Sequence, residues 1–302
     1  MYIQSVCTRI QPILYRASFL ARVETAFAEA CNLVTPDGHV LSLVSPTVGN
    51  GPLNAVVSQF QALALLSQGD WIRGDGQQLH LGRGWRLSLQ PAAQWDPMPA
   101  YERLAAWPST VEANLHWLRG HLPLEAPAAS LAAAPALSTQ GAFGSRPSIA
   151  LVQAHAGQLI EGLLQGYQNG DLPRLRAYAS QLAGLGPGLT PAGDDWLAGW
   201  LVGLRAAAAT AAPWTTQPLP VEAVGEAVVA SAQQRTTRLS LAFLQAAAEG
   251  AVDEAWHGLL AALTDASMLL IKVTAARVME HGATSGSDML AGFLAAFHER
   301  TT

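Results

Sequence analysis

The spacing of hydrophobic and polar residues differs between the first third of the chain and the rest. Over residues 1–100 apolar and polar positions alternate in short runs separated by turn residues, as in "HVLSLVS" at 39–45. Alternation with a period of two predicts strands, and short strands with frequent turns favour a small barrel or a layered sheet. Further strands are expected within 52–60 and 71–90, whereas 19–30 is predicted to form a helix.

From Ile149 onward the apolar residues recur every three or four positions, which predicts a helical domain. The stretch between the two halves is rich in Pro and Ala. Only Thr110–His121 has helical spacing there, and the remainder, at about 123–148, is expected to be a linker or a surface excursion. We therefore predict an α+β fold with three parts: a small, barrel-like β-rich domain at 1–100, a bridge at 101–148 and an α-helical domain at 149–302.

Composition and charge exclude several classes of protein. The 302 residues are 50% hydrophobic and 13% charged, with a formal net charge of −5, which is typical of a globular chain. A single lysine among the basic residues leaves no basic run, so we expect no nucleic-acid surface. No apolar run is long enough for a membrane span, and Cys7 and Cys31 have no metal-binding spacing. A cytoplasmic protein is the expectation.

Two segments of the helical half repeat each other. "GDDWLAGW" at 193–200 and "GSDMLAGF" at 286–293 share five identical residues and a final aromatic residue. In each copy an aspartate precedes a glycine by four residues, so both lie on one helix face. A glycine inside a helix costs about 1 kcal/mol relative to alanine, and it usually permits a close backbone approach. We expect the two helices to pack through these glycines and their N-terminal loops to flank one cleft.

A turn rich in glycine or hydroxyl residues precedes each copy. "GLGPGLTP" can expose backbone N–H groups, with Thr190 expected as the N-cap and Pro191 at the first helical position. Such donors suit a phosphate or a carboxylate. The aspartates instead suit a metal-bridged phosphate, a protonatable substrate, or an amide or ammonium donor. The alternative is structural, because an aspartate near a helix N-terminus is favourable against the helix dipole.

The candidate site residues form two groups. The catalytic candidates are Asp194, Asp195 and Asp288. The candidates for binding a substrate or anion are Gly186, Gly188, Thr190, Gly193, Thr236, Thr237, Gly286, Ser287 and Asn50. No cofactor is indicated with certainty; the carboxylates leave a divalent metal open, and no ligand set for it can be assigned.

Several of these positions have a plain structural alternative. Thr236, Thr237 and Ser240 start an amphipathic helix, where they either cap it or contact the cleft, with Arg235 or Arg238 as an anion clamp. The turn around Asn50 is expected to be a hairpin, with closure over the helical cleft as the alternative.

Two residues outside these motifs carry side chains that are capable of chemistry. Lys272 is expected to reach water from an apolar helix. His281, just before the second copy of the repeat, is a weaker candidate for acid–base work.

Three segments carry a resemblance to a known family: "GLGPGLTPAGDDWLAGW", "TTRLSLAFLQAAAEG" and "HGATSGSDMLAGF". They resemble a bacterial family of unknown function, one branch of which is the AllH-type subunit of oxamate carbamoyltransferase, from anaerobic allantoin breakdown. The match covers the helical half well and "VGNGPLNAVV" more loosely. The family has no settled catalytic residues, so only motif positions carry over as site residues: Gly186, Gly188, Thr190, Gly193, Asp194, Asp195, Gly286 and Asp288.

The resemblance implies a reaction and partners. The reaction is carbamoyl transfer between carbamoyl phosphate and oxamate, which gives oxalurate and phosphate, and it would need N–H donors for the phosphate and a positioned amide nucleophile. The implied partners are an FdrA-like subunit and a further carbamoyltransferase subunit, besides the small anionic substrate. A different class of function stays open, namely a non-catalytic subunit that binds or senses a small anionic metabolite.

Overall fold

The computed structural model describes residues 1–82, 84–90, 92–133, 147–210 and 218–297, without the side chains of residues 62, 64, 65, 147 and 148. The chain divides into two compact units. One comprises Met1–Met98 with Val252–Glu254, and the other comprises Pro99–Ala251 with Ala255–Thr302. The first unit is a sheet and the second is helical, which confirms the predicted α+β class.

The sheet unit contains nine strands, one short helix and a 3₁₀ turn. The strands are β1 (Ile3–Cys7), β2 (Leu20–Ala26), β3 (Ala30–Val34), β4 (Val40–Val44), β5 (Asn54–Val57), β6 (Trp71–Gly74), β7 (Gln78–His80), β8 (Arg86–Ser88) and β9 (Ala93–Trp95). Helix α1 (Gln11–Leu14) follows β1, and the 3₁₀ turn (Phe60–Leu65) follows β5. The strands expected around 39–45, 52–60 and 71–90 are therefore present.

All nine strands form one sheet in the order β8-β7-β6-β2-β3-β4-β5-β1-β9. The pairings are antiparallel except β4 with β5 and β1 with β9. Because β4 and β5 run parallel, the hairpin expected at the turn around Asn50 is wrong. A further bridge joins Tyr2, just before β1, to Ser88 of β8, although β8 is an edge strand and β1 lies next to the opposite edge. The sheet therefore curls into a half-barrel, as the barrel-like prediction anticipated.

The helix expected over 19–30 is wrong. This segment forms β2 and the start of β3, paired antiparallel with Val23 opposite Leu33. Ala21 and Val23 are fully buried, and the exposed Arg22 lies between them, so the burial has a period of two. Pairing with β3 on one side and β6 on the other outweighs the helix propensity of the Ala and Glu residues.

The helical unit begins with a 3₁₀ turn (Tyr101–Ala106) and contains a second one at Leu131–Ala133. Its helices are α2 (Pro108–Glu125), α3 (Pro147–Gln168), α4 (Leu172–Leu182), α5 (Ala192–Thr210), α6 (Val221–Ala232), α7 (Arg238–Glu249), α8 (Glu254–Ala262), α9 (Met268–Met279) and α10 (Ser285–Ala295). Glu254, the first residue of α8, belongs to the sheet unit. Among the described residues, no helix is long and apolar enough to cross a membrane.

Helix α5 is the centre of the helical unit. It packs against α10, α7 and α6, and most of its residues are buried on every side. Aromatic side chains fill the space around it: Tyr167 of α3 meets Trp200 edge to face, with ring centroids 5.4 Å apart. On α10, Phe293 packs against Trp256, with ring centroids 5.2 Å apart. An apolar helix of this kind belongs in a core, and its polar residues therefore need internal partners.

The linker or surface excursion expected at about 123–148 is wrong at 123–125, which belong to a helix, and at 130–133, which are buried, whereas residues 127–129 are exposed. Helix α2 extends to Glu125, and Ser130 and the 3₁₀ turn Leu131–Ala133 are buried. Residues 134–146 lie outside the described residues. The short side chains of Ser130, Ala132 and Ala133 allow this part of the stretch to be buried in the helical unit.

Candidate functional site

The two copies of the repeat pack against each other through their glycines, as predicted. A Cβ at Gly199 would overlap the carbonyl oxygen of Met289, and a Cβ at Gly292 would overlap that of Trp196. Trp196 and Met289 occupy the same position in the two copies. Helices α5 and α10 therefore meet through equivalent backbone atoms, with local two-fold symmetry. Glycine is required at both points because any side chain would collide with backbone, which cannot turn away.

The first glycine of each copy has a different task. A Cβ at Gly193 would overlap the carbonyl oxygen of Leu182, and a Cβ at Gly286 would overlap that of Val278. The Gly193 amide donates to the carbonyl of Leu185 at 2.9 Å, and the Gly286 amide donates to that of His281 at 3.0 Å. The sequence interpretation offered both glycines as anion binders, but their N–H groups are already used within the protein.

Asp194 is buried and fully engaged in hydrogen bonds. Its Oδ1 accepts from the backbone N–H of Gly184 at 3.0 Å, and its Oδ2 accepts from Ser240 Oγ at 2.9 Å and from Thr236 Oγ1. Burial raises the pKa of Asp194, and these hydrogen bonds oppose the rise. The carboxylate thus connects α5 to the start of α7 and to the loop at 183–191, the glycine loop. The hydroxyl groups of Thr236 and Ser240, which were candidates for contacting a cleft, donate to Asp194.

Asp288 is also buried, but only half of its carboxylate is engaged. Its Oδ1 accepts from Ser130 Oγ at 2.7 Å and from the Leu131 N–H at 2.6 Å. Among the described residues, Oδ2 is buried and has no hydrogen-bond partner. Burial raises the pKa of Asp288, while the Ser130 and Leu131 hydrogen bonds, and to a smaller degree the Thr284 hydroxyl, act in the opposite direction. A buried acceptor without a partner is costly, so a ligand group that donates to Oδ2 would be favoured.

Asp195 is half-buried, and its Oδ2 likewise has no partner among the described residues. Burial raises the pKa of Asp195 to about 8, with smaller contributions from the charges of Asp288 and Asp194. The hydroxyls of Ser285 and Thr190 lower it in part. Asp195 is therefore largely protonated at neutral pH, and a neutral carboxyl group can donate a hydrogen bond as well as accept one.

The loops before the two helices touch each other. Thr190 Oγ1 lies 3.1 Å from Ser285 Oγ, which joins the loop before α5 to the first turn of α10. The N-cap assignment of Thr190 is not what forms: α5 begins at Ala192, and the Thr190 hydroxyl contacts Ser285 instead. Gly186 and Gly188 have φ of 115° and 102°, so the loop needs glycine at both positions.

The remaining candidates lie as follows. Thr237 caps α7, its Oγ1 accepting from the Ser240 N–H at 3.0 Å, and it donates to the Leu189 carbonyl at 2.6 Å. Ser287 is fully buried, and its Oγ has no partner among the described residues. Asn50 lies in the sheet unit, where its Nδ2 donates to Glu254 Oε2 at 2.9 Å. Arg235 Nε donates to the Ser180 carbonyl at 3.0 Å.

The two basic candidates outside the repeat lie at the surface. Lys272 is exposed, 4.0 Å from Glu125 Oε1, as expected. His281 is exposed in the loop before α10, where its carbonyl accepts the Gly286 amide.

Two polar residues that adjoin the site were not predicted from the sequence. Ser130 binds Asp288, and Gln153 of α3 donates from Nε2 to the carbonyl of Ser130 at 2.8 Å. Neither belongs to a motif, and no local pattern connects either of them with Asp288. Within the described part of the chain, no group of three or more His, Cys, Asp or Glu side chains could hold a metal ion.

Comparison with protein families gives two matches. Residues 182–297 match the family described as oxamate carbamoyltransferase subunit AllH, and residues 3–94 match the AllH family N-terminal domain. Searches of curated proteins and of solved structures each returned no match. The description is that of a subunit, which implies partner subunits. The first match spans both copies of the repeat, the second spans the curled sheet, and the chain belongs to the AllH family.

Proposed function

We propose that this chain is a subunit of an oxamate carbamoyltransferase and that its share of the site lies where α5 meets α10. One observation carries the proposal. The family match over 182–297 contains both copies of the repeat, and each copy holds an aspartate whose buried Oδ2 has no partner among the described residues. Asp195 and Asp288 are therefore the residues proposed to meet substrate.

The proposed chemistry is carbamoyl transfer between phosphate and an amide. The amide nitrogen of oxamate attacks the carbonyl carbon of carbamoyl phosphate and forms a new C–N bond. The C–O bond to phosphate then breaks, and the phosphate leaves with the electron pair. The nitrogen gives up a proton in the process. The reaction thus needs a proton acceptor at the nitrogen and a donor where negative charge develops.

The two aspartates supply these complementary functions. Asp288 is proposed as the acceptor, since two donors hold its Oδ1 and leave Oδ2 for the amide N–H. Asp195 is proposed as the donor, because its pKa of about 8 keeps it protonated at neutral pH. The two carboxyl groups differ in their hydrogen-bond partners, and such a difference in surroundings allows one to act as an acid and the other as a base.

The glycine loop is proposed to hold the anionic group. Gly186 and Gly188 adopt positive φ, and Gly188 has open space where a Cβ would be. Backbone N–H groups in such a loop, just before a helix, form a favourable concavity for a phosphate or carboxylate. Thr190 and Ser285 add hydroxyls between this loop and Asp195.

A reconstituted complex tests the proposal. We propose that the partners are an FdrA-like subunit and a further carbamoyltransferase subunit, so the assay combines this chain with them and measures phosphate release from carbamoyl phosphate and oxamate. Asp288→Asn should lower kcat by about 10²–10⁴-fold, the usual effect of removing an acid–base group. Asp195→Asn should lower it as well. The exposed Glu226→Gln on α6 is the matched control and should leave the rate unchanged.

The assay also separates the alternative function. If the wild-type complex turns over no oxamate, the proposed reaction is wrong for this chain. Suppose instead that the complex is active, and that both aspartate variants bind oxamate and phosphate and keep the full rate. The α5–α10 junction then contributes no catalysis, and the chain acts as a metabolite-binding subunit.

A further inference from the structure

Asp288 is held by a stretch of chain that neither family match contains. The two donors to its Oδ1 are Ser130 Oγ and the Leu131 N–H, and both residues lie between the matched ranges 3–94 and 182–297. Ser130 is fully buried, and its Oγ also accepts from the N–H of Ala132 at 3.0 Å. The Ser130 hydroxyl proton therefore goes to Asp288 alone. This direction fixes the serine as donor and the carboxylate as acceptor.

Gln153 of α3 fixes the backbone of residues 128–130 through hydrogen bonds. Its Nε2 donates to the carbonyls of Ala128 at 2.9 Å and Ser130 at 2.8 Å, so both amide protons are used. The Ser130 N–H donates to the Pro127 carbonyl at 2.8 Å, which closes a turn just before the 3₁₀ turn. Gln153 is 4% exposed, and its Oε1 is buried without a partner among the described residues.

We propose that Ser130 and Gln153 are positioning residues that hold the Asp288 carboxylate with Oδ2 directed at the substrate. Three facts support this assignment. The contact chain from Gln153 to Ser130 to Asp288 is continuous and buried. Asp288 Oδ1 accepts two hydrogen bonds, whereas Oδ2 has no partner in the part of the chain that the structure describes. The contact chain also joins α3, the turn at 127–130 and α10, so the orientation of Asp288 depends on packing between distant parts of the chain.

The inference rests on the proposed function, since Asp288 must contact substrate for its orientation to matter. It extends that proposal by making the bridge between the two family matches part of the site. A segment that only filled space would need no paired donors to one oxygen of a buried carboxylate. The alternative is that Ser130 and Leu131 merely satisfy Asp288, which then serves the stability of the fold alone.

The experiment uses four variants in the reconstituted complex. Ser130→Ala removes a donor to Asp288, and Ser130→Thr restores the hydroxyl. Gln153→Met keeps the volume and removes both amide donors. Ser231→Ala, which also deletes a single serine hydrogen bond but on α6, is the matched control. Ser130→Ala should lower kcat by about 10²-fold with little change in KM, the cost of a misplaced catalytic group. Ser130→Thr should recover most of the loss, and Gln153→Met should lower kcat in the same way.

A double-variant cycle distinguishes positioning from stability. In an Asp288→Asn background, Ser130→Ala should reduce the residual rate no further, because residues that act through one another are not additive. An unchanged kcat in Ser130→Ala, beside a strong effect of Asp288→Asn, would overturn the inference and leave the proposed function standing. Additive losses, or losses matched by lower thermal stability and by Ser231→Ala, would likewise overturn it. No activity in the wild-type complex would instead count against the proposed function.

Discussion

Gly199 of α5 lies directly against the carbonyl oxygen of Met289 in α10, and Gly292 makes the equivalent contact with Trp196. Alanine at either position should therefore force the helices apart. Overpacking against a buried backbone typically costs about 1–3 kcal/mol, and we expect Gly199→Ala and Gly292→Ala to lower the free energy of unfolding by at least that much. Urea denaturation measures the change.

The same helical unit offers a matched control for these glycines. Gly157 of α3 is exposed and has open space around a Cβ, so Gly157→Ala should stabilise the protein by about 0.5–1 kcal/mol through helix propensity. Equal effects of Gly157→Ala and Gly199→Ala would contradict the close approach of α5 and α10.

Asp194 should matter for stability more than for chemistry. Asp194→Ala leaves the Gly184 N–H and the hydroxyls of Thr236 and Ser240 without their acceptor. Each buried donor left unpaired costs about 1–3 kcal/mol, so the loss in unfolding free energy should be several times the effect of an average surface substitution. Denaturant titration provides the measurement.

Asp171→Ala is the comparison for Asp194→Ala. Asp171 is exposed and caps α4 through one hydrogen bond to the Arg174 N–H, so its removal should cost about 1 kcal/mol. If Asp194→Ala is no more destabilising than Asp171→Ala but abolishes carbamoyl transfer, Asp194 contributes to the reaction and not mainly to the stability of the fold.

The raised pKa of Asp195 links stability to pH. The folded chain holds this proton up to a pKa of about 8, against an ordinary value of 3.8, so over this range the native state binds more protons than the unfolded state. The favourable contribution is complete below pH 3.8 and is lost as pH rises through about 8. Unfolding free energy should fall across this window, with a slope for this one group of at most about 1.4 kcal/mol per pH unit.

Asp195→Asn isolates that contribution. The amide cannot ionise, so the variant should show a flatter dependence of unfolding free energy on pH than the wild type, measured by denaturant titration at a series of pH values. Asp194 and Asp288 also have raised pKa values and are present in both proteins, so the difference between the two curves reports Asp195. Parallel curves would show that the Asp195 pKa is not raised.

Activity should follow the protonation of Asp195 as well. If Asp195 donates a hydrogen bond to developing negative charge, kcat/KM should decline as pH rises through about 8. Steady-state rates of the reconstituted complex between pH 6 and pH 10 test this, and Asp195→Asn should lose the descending limb. A decline that persists unchanged in Asp195→Asn would assign the limb to another group.

The sequence predicted the features that depend on local patterns. Period-two alternation located β4, and the period of the helical half located α3, α6, α7 and α10. The repeated Asp–Gly spacing predicted the packing of α5 against α10 through Gly199 and Gly292, because that packing depends on glycines that are visible in the sequence. Residues 19–30 were misassigned because pairing with neighbouring strands, which a local pattern does not contain, decided between helix and strand.

The sequence predicted that the two aspartate motifs lie together, but it did not predict which contacts each aspartate makes. Asp194 and Asp195 are neighbours in sequence, yet one accepts three hydrogen bonds and the other has an oxygen with no partner among the described residues. Which of the two faces α7 and which faces Ser285 depends on helix packing, not on composition. The bond from Ser130 to Asp288 spans 158 residues, and no spacing rule reaches that far.

The contact between α5 and α10 has a consequence for how sequences of this fold can diverge. Because each glycine meets a main-chain carbonyl, the separation of the helices does not depend on which side chains fill the surrounding core. Asp195 and Asp288 each precede one of these glycines by one helical turn. The distance between their backbones is therefore also set by the glycine contacts and not by the core side chains. Core residues such as Trp200 or Phe293 can therefore change among hydrophobic types while the backbone positions of the two aspartates stay the same distance apart, and the direction of the Asp288 carboxylate is set separately by Ser130.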